Sequence, residues 1–247
     1  MDISTSIATS RLMAQQRAMD VTASNMANAN TPGYKLQRVQ FSDWLSRQTG
    51  IDAPRGGKTI AFTQDRATWR DHQAGTLTHT ANPLDLAITS DGYFTVNTSR
   101  GPRLTRDGRF GLMPNGTLAD GSGNAVLGTN GQPIQFSPSD TRITIAGDGT
   151  VSTQNGQLGK IGVVTVANQN QLVSEGGTLY RADAATSAVP SPGILQGAVE
   201  NSNVQPVLEI TRMMQDVRQF QFVSQYIQAE SDRQQNAIDK LLPATGS

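Results

Sequence analysis

Glycine is unevenly distributed along the chain, and this distribution limits where long helices can form. Of the 24 glycines, 22 lie between Gly50 and Gly197, with one before them at Gly33 and one after them at Gly246. Glycine disfavours helix interiors because its backbone loses the most freedom on ordering. Six of the seven methionines, whose unbranched side chains suit helices, lie in the glycine-poor ends. The sequence therefore predicts two helical arms that flank a β-rich middle.

The N-terminal arm carries a mainly apolar stripe with the three- and four-residue spacing of one helix face. The stripe comprises Ile3, Ile7, Ala14, Ala18, Val21, Asn25 and Asn28, and a second stripe beside it comprises Ala8, Leu12, Met19 and Met26. After these stripes, Pro32 forces the residue before it out of helical geometry and Gly33 permits a tight turn. We predict a helix that ends near Asn28.

The C-terminal arm shows the same spacing over a longer stretch. Asn203 is positioned to cap its first turn, and Pro206 is tolerated there because an amide hydrogen would be unpaired anyway. The alternation runs through Met213, Val217, Phe220, Ser224, Ile227, Ser231, Gln234, Ile238 and Leu241. A helix of about 35 residues spans roughly 50 Å, too long for a small domain to cover. We expect it to pair with the N-terminal arm as a coiled-coil-like stem, and then with other subunits.

The middle of the chain alternates short apolar runs with Asp-Gly and Asn-Gly turn dipeptides. The dipeptides begin at residues 91, 107, 115, 120, 148 and 155. Between them, Leu84, Leu86 and Ile88 are an example of strand-like alternation. The sequence predicts an α+β fold with five parts: an N-terminal helical arm (1–35), a connector (36–80), a mainly antiparallel central β domain (81–185), a return linker (186–202) and a C-terminal helical arm (203–247).

Charge and cysteine content exclude several classes of function. Lys plus Arg and Asp plus Glu both number 20, so we expect no nucleic-acid partner. The chain has no cysteine, which excludes thiol nucleophiles, disulfides and cysteine-ligated metal centres. No signal-peptide pattern and no run of about 18 apolar residues occurs, so we expect neither a cleavable signal nor membrane insertion.

No motif for a cofactor or metal site is complete. The run Gly-Gly-Lys-Thr at residues 56–59 lacks the earlier glycine of a phosphate-binding loop. Residues 120–124 have the oxygen spacing of a calcium loop, but the turn glycine and the final acid are missing. His72 and His79 are the only histidines, too few for a three-histidine metal site. We predict no catalytic, cofactor-binding or metal-binding residue.

Segments at both ends of the chain resemble the signatures of a known family. The first, residues 23–35, contains Asn28, Asn30, Thr31, Pro32, Gly33 and Tyr34, and the second, residues 197–207, contains Ser202, Asn203 and Val204. Both are similar to the signatures of bacterial flagellar rod and hook proteins. Residues 64–68, 82–88, 91–94 and 105–110 resemble the central domain of the rod subfamily. The connector is shorter than we expect of a distal-rod protein, which favours the proximal-rod type.

The resemblance implies a structural subunit of the flagellar basal-body rod, not an enzyme. Its implied partners are copies of itself, other flagellar rod subunits and the flagellar type III export apparatus, which would export it unfolded and without a cleaved signal. It would join the rod crossing the periplasm, polymerise head-to-tail through its terminal helices and transmit torque for motility. Because each arm exposes an apolar stripe, we expect both arms to be largely disordered in the isolated monomer.

The candidate assembly residues lie on both predicted helices. They are Ile3, Ile7, Leu12, Ala14, Ala18, Val21, Asn25 and Asn28 in the N-terminal arm, and Met213, Val217, Phe220, Ile227, Ile238 and Leu241 in the C-terminal arm. Three alternatives remain open: a distal-rod or hook-type subunit, a secreted β-rich binding module with helical oligomerisation arms, and a glycosidase-like enzyme. The enzyme would use two of four loop aspartates, Asp85, Asp91, Asp107 and Asp120. Three of the four directly precede glycine, as turns alone would require.

Overall fold

The structure is a computed structural model that describes residues 3–47 and 59–241. The chain forms two compact units. The helical unit has the described residues 3–27, 37–47, 59–69 and 205–241, and the β unit consists of residues 28–36 and 70–204.

In the described part of the chain, two long helices come before and after a series of strands in sequence. In chain order the elements are α1 (Ile3–Ala27), β1 (Gln37–Arg47), β2 (Thr59–Arg70), β3 (Leu77–His79), β4 (Leu86–Ile88), β5 (Tyr93–Thr98), β6 (Gly101–Thr105), β7 (Phe110–Leu112), β8 (Leu118–Asp120), β9 (Ala125–Val126), β10 (Ile143–Ile145), β11 (Thr150–Thr153), β12 (Gly156–Lys160), β13 (Val163–Val166), the 3-10 helix η1 (Gln169–Gln171), β14 (Leu172–Ser174), β15 (Leu179–Ala182), β16 (Thr186–Ala188), β17 (Ile194–Gln196), β18 (Ala198–Glu200) and α2 (Pro206–Leu241).

In the helical unit, α1 packs against both α2 and β1, and β1 pairs with β2 in a two-stranded sheet. Seven less exposed positions of α2 follow a three-four spacing, and Ser224 beside Val223 is also half-buried: Glu209, Met213, Asp216, Phe220, Val223, Ile227 and Glu230. This seam contains Met213, Phe220, Ser224 and Ile227 of the predicted alternation, but it turns Asp216 inward in place of Val217 and buries Val223 beside Ser224. The predicted pairing of the terminal helices is confirmed.

The β unit is built from antiparallel strands around a continuous apolar core. Its largest sheet runs in the order β14-β15-β6-β5-β9-β8-β7; in addition, β13 pairs with β5, and β16 pairs with β13. The core contains Phe94 and Phe110, whose rings meet edge to face with their centroids 5.2 Å apart. A second cluster surrounds Tyr93 and Tyr180. Antiparallel sheets and paired terminal helices confirm the predicted α+β class.

Turn chemistry explains several of the hairpins. The dipeptides at residues 115, 120 and 148 lie in or begin the β7–β8, β8–β9 and β10–β11 connections, and Gly156 begins β12 directly after a two-residue turn. Strands also lie in the segments predicted as connector and return linker, where β1 to β3 and β16 to β18 are found. All three residues of both β3 and β16 are exposed, so these strands show no burial alternation.

Candidate assembly site

The N-terminal signature loop, residues 28–36, contains two successive turns. The amide of Thr31 donates to the Asn28 carbonyl at 3.1 Å, and the amide of Tyr34 donates to the Thr31 carbonyl at 3.3 Å. The Thr31 hydroxyl also donates to Asn28 Oδ1 at 3.3 Å. Pro32 lies between these bonds, where its fixed φ suits a turn. The loop then continues into the buried residues Gly33, Tyr34 and Lys35.

Gly33 joins the signature loop to the second signature at the other end of the chain. Its amide donates to the backbone carbonyl of Glu200 at 2.8 Å. Its φ is +69°, and a Cβ on it would lie 2.3 Å from the backbone nitrogen of Asp107. Because real Cβ atoms do not approach a backbone nitrogen so closely, only glycine fits this position.

A buried cluster of three charged side chains lies beside Gly33. Lys35 Nζ lies 2.5 Å from Glu200 Oε1, and an Arg106 nitrogen lies 3.2 Å from Glu200 Oε2. The exposed fractions of these side chains are 1% for Lys35 and Glu200 and 6% for Arg106. Burial lowers the pKa of Lys35, and the Glu200 carboxylate opposes that shift. Two cations share one anion, so the cluster carries one net positive charge.

Backbone groups and an aromatic ring complete this cluster. The Gly75 amide donates to Glu200 Oε1 at 3.0 Å, and Lys35 Nζ donates to the Gln73 carbonyl at 2.8 Å. The Arg106 guanidinium stacks over the Tyr93 ring, 5.4 Å from its centroid. Burial raises the pKa of Tyr93 to about 12. The Tyr93 hydroxyl therefore stays neutral in the physiological range.

Asn203 does not cap α2, contrary to the sequence prediction. The helix begins at Pro206. Asn203 Oδ1 instead accepts a hydrogen bond of 2.7 Å from the Leu36 amide. Its Nδ2 donates to the Asp71 carbonyl at 2.9 Å and to the Gln73 carbonyl at 3.1 Å. The side chain thus joins three segments that are far apart in sequence.

A second buried network fixes β1 against the helices in the helical unit. Asn25 is fully buried, and its side chain both accepts from the Gln37 amide and donates to the Gln37 carbonyl, at 2.9 Å each. It also donates to Glu209 Oε2 at 3.1 Å. Arg38 pairs with both Glu209 oxygens, at 2.9 and 3.0 Å, and Arg212 adds a contact of 3.3 Å. Burial of Glu209 sets the rotation of α2 about its axis. Asp216 and Val223, seven and fourteen residues later, then also face inward.

The predicted assembly residues fall into four groups by exposure. Ala14, Val21 and Asn25 are buried; Ile7, Leu12, Ala18, Asn28, Met213, Phe220 and Ile227 are half-buried; Val217 and Ile238 are exposed; and the side chains of Ile3 and Leu241 lie outside the described part of the chain. Asn28 belongs to the β unit, and the others belong to the helical unit. The role of these residues in assembly stays a prediction.

Comparisons with known protein families cover both signatures and the middle. Residues 6–35 match the model of the flagella basal body rod protein, residues 87–153 match the D1 domain of flagellar hook proteins FlgE/F/G, and residues 195–240 match the C-terminal region of flagellar basal body rod FlgEFG proteins. The chain is 33% identical to the flagellar basal-body rod protein FlgF of Caulobacter vibrioides over 98% of both chains. This chain belongs to the flagellar basal-body rod protein family.

Other members are similar over almost their whole length. The FlgF protein of Mesorhizobium japonicum is 33% identical over 95% of this chain and 96% of its own. The FlgG protein of Bacillus subtilis is 35% identical over 91% of this chain and 93% of its own. The family predicted from the signatures is therefore confirmed. As a rod protein, the chain is a structural subunit of the flagellar basal body and not an enzyme, and it assembles with rod subunits.

One exposed face of the rod protein's α2 was not identified as a stripe by the sequence analysis. Val207, Ile210, Met214 and Val217 follow a 3-4-3 spacing and are 75%, 44%, 48% and 37% exposed. We call these four residues the α2 stripe. Only Val217 was among the predicted assembly residues, although the spacing itself is visible in the sequence. An apolar row of this kind on a helix is typical of a helix–helix contact.

The motifs rejected at the sequence level have structural roles where they are described. Asp120 Oδ1 accepts from the amides of Ser122 and Asn124, at 2.9 Å each, so it closes a turn. Asp107 and Asp120 border a cavity of about 430 Å³, and burial raises the pKa of Asp107. Within residues 3–47 and 59–241, no group of three acidic, histidine or cysteine side chains could hold a metal ion. Residues 56–58 of the Gly-Gly-Lys-Thr run lie outside the described part. Neither helix, as far as it is described, is long and apolar enough to span a membrane.

Proposed function

We propose that this chain is a proximal-rod subunit that polymerises through its terminal helices and transmits torque along the rod. The observation that carries this proposal is the α2 stripe. Its four apolar side chains are exposed on a helix whose inward seam already packs within the same unit. A neighbouring subunit of the assembly is the occupant that would remove this surface from water.

The energy of one such contact is modest. Burying a Val, Ile or Met side chain fully contributes about 1.5–3 kcal/mol, and these four are already partly covered, so the α2 stripe contributes on the order of 4 kcal/mol. Association costs at least about 4 kcal/mol of lost rigid-body freedom. A single contact therefore cannot hold two subunits together. A helical lattice solves this problem because each subunit contacts several neighbours at once.

The α2 stripe is compatible with an open polymer. A contact between the stripe of one subunit and a different surface of the next is heterologous, and such a contact generates a helix when the rotation does not close. A subunit that exposed only a self-complementary patch would stop at a dimer. The rod is an extended structure, so a heterologous contact fits the family's role.

The export route belongs to the same proposal. The absence of cysteine is consistent with passage of an unfolded chain through the flagellar type III apparatus, because no disulfide can form wrongly on the way.

The proximal position is supported by the short connector and by the full-length similarity to proteins named FlgF. A distal-rod or hook-type position is the alternative, and the similarity to FlgG keeps it open. Labelled subunits located in images of purified basal bodies would separate the two positions.

The test of assembly is Met214→Asp in a strain that lacks the chromosomal gene. Met214 is 48% exposed in the subunit, so folding should tolerate the charge, whereas a packed interface should not. We expect a secreted, folded subunit that is missing from purified basal bodies, together with lost motility. The matched control is Gln215→Asp, which places the same charge on an exposed polar position one residue away. Normal incorporation of the Met214→Asp subunit would contradict the proposal.

A further inference from the structure

The chain passes between its two units at four places, and three of them meet at one side chain of the β unit. The crossings lie between residues 27 and 28, 36 and 37, 69 and 70, and 204 and 205. Within the β unit, the last residue before the second crossing is Leu36, and residues 70–73 directly follow the third. Asn203 precedes the fourth crossing by one residue. Its side chain bonds to both of the other segments.

The bonds of Asn203 use its whole amide group. Oδ1 accepts from the Leu36 amide at 2.7 Å, while Nδ2 donates to the carbonyls of Asp71 and Gln73 at 2.9 and 3.1 Å. The Asp71 amide in turn donates to the Leu36 carbonyl at 2.9 Å. Each pair among the three segments is therefore joined directly. A carboxamide matches these three bonds because it has an acceptor oxygen and a nitrogen with two donor hydrogens.

The buried ion pair of Lys35 and Glu200 also connects the segments that Asn203 joins. Lys35 precedes Leu36 in the chain, and its Nζ shares the Gln73 carbonyl with Asn203. Glu200 lies three residues before Asn203 and binds both Lys35 and the Gly75 amide. The side chains of Lys35 and Glu200 thus add further bonds among the same three segments, all within the β unit.

We infer that Asn203 is a positioning residue that fixes three exits of the chain from the β unit at one point. A pull that arrives along one exit is then shared by three cross-linked segments, because their hydrogen bonds must open together. Forced unfolding is governed by the rate of the opening step, so joining the segments slows that step. The mechanical role of Asn203 rests on the proposed function, in which the terminal helices transmit torque. The geometry of the Asn203 junction is independent of that function.

The first test is hydrogen exchange with mass spectrometry on the purified full chain. With Asn203→Ala, amide exchange should rise about tenfold at Leu36, whose amide loses its acceptor. It should also rise across residues 71–75, because the carbonyls of Asp71 and Gln73 lose the donor that anchors this segment. Asn203→Asp keeps the acceptor for Leu36 but replaces the two donors. Amide exchange in Asn203→Asp should therefore rise across residues 71–75 but stay slow at Leu36. This variant also keeps the test valid if Asn203→Ala does not fold.

The matched control is Asn201→Ala. Among the described residues, the Asn201 side chain bonds with the hydroxyls of Thr76 and Thr78, at 3.4 and 2.8 Å, and not with the segments that Asn203 joins. Its loss should leave exchange at Leu36 unchanged. Unchanged exchange at Leu36 in Asn203→Ala would overturn the proposed junction, whatever the role of the protein in the rod.

The second test measures motility under load. Cells that carry Asn203→Asp should build rods and swim in dilute medium but lose speed in viscous medium more steeply than cells with Asn201→Ala. Equal speed at every viscosity, combined with the expected exchange pattern, would overturn the mechanical role and leave the assembly proposal standing. If cells that lack the subunit altogether still built rods and swam normally, the proposed function itself would fail.

Discussion

In the buried cluster of Lys35, Arg106 and Glu200, we expect removal of the negative charge to destabilise the protein more than removal of one positive charge. Glu200→Gln leaves two buried cations without a counter-charge and raises the net charge of the cluster from one to two. Breaking a buried pair in this way costs about 3–5 kcal/mol of unfolding free energy. Lys35→Met instead leaves the neutral pair of Arg106 and Glu200 and removes a desolvated charge. Its cost should be about 1–2 kcal/mol, mainly from lost hydrogen bonds.

The assay is urea unfolding of the full chain, followed by near-ultraviolet circular dichroism. The buried rings of Tyr93 and Tyr180, with their centroids 5.8 Å apart, report on the β unit. A difference of roughly 2 kcal/mol shifts the midpoint by about 1 M urea for a typical denaturant dependence. Asp183→Asn is the control, because it removes an ion pair with Arg181 that is exposed on both sides. Its midpoint should not move.

The double variant gives the sharper result. In the Glu200→Gln background the site holds two cations, so Lys35→Met should now raise the midpoint instead of lowering it. A change of sign between the two backgrounds can come only from the shared carboxylate. If Lys35→Met were destabilising in both, and by as much as Glu200→Gln, the charge argument would be refuted.

Two further predictions concern the arms and pH. Limited proteolysis of the confirmed monomer should cut both terminal arms and leave a stable fragment containing residues 81–185, because an apolar helix face without its partner subunits is weakly held; full protection of both ends would contradict the expected disorder. Burial and neighbouring cations lower the pKa of His72 from its usual 6.5, so below that pH the unfolded chain binds more protons than the folded one. Stability should therefore fall as the pH drops through 6.5, and a urea midpoint that falls equally in His72→Gln would rule out this histidine as the cause.

The large features of the fold could be predicted from local signals. Glycine content and three-four spacing located both helices, and the dipeptides at residues 115 and 148 marked turns between strands that do pair. The phase of α2 could not be predicted from spacing alone, since both Val217 and Val223 fit an apolar row. The buried charge of Glu209 decides between them, and its partners Asn25 and Arg38 lie more than 170 residues away in the chain.

The same limit applies to the signatures. Their residues identified the family, but their structural roles depend on contacts that sequence spacing does not report. Asn203 resembled a helix cap because it lies just before α2, whereas its real partners are Leu36, Asp71 and Gln73. Lys35 and Glu200 are separated by 165 positions, and neither shows by itself that it is buried. Ion pairs between distant residues carry no local pattern, so only the folded chain reveals them.

Cysteine footprinting of the α2 stripe tests the central claim most directly. The chain has no cysteine, so Met214→Cys introduces a single thiol on this exposed face. The measurement is the fraction of that thiol modified by a maleimide in the purified subunit and in purified basal bodies, with labelling after denaturation as the total. We predict rapid modification of the free subunit and protection in the rod. Equal modification in both would show that the α2 stripe faces solvent after assembly and would contradict polymerisation through this helix.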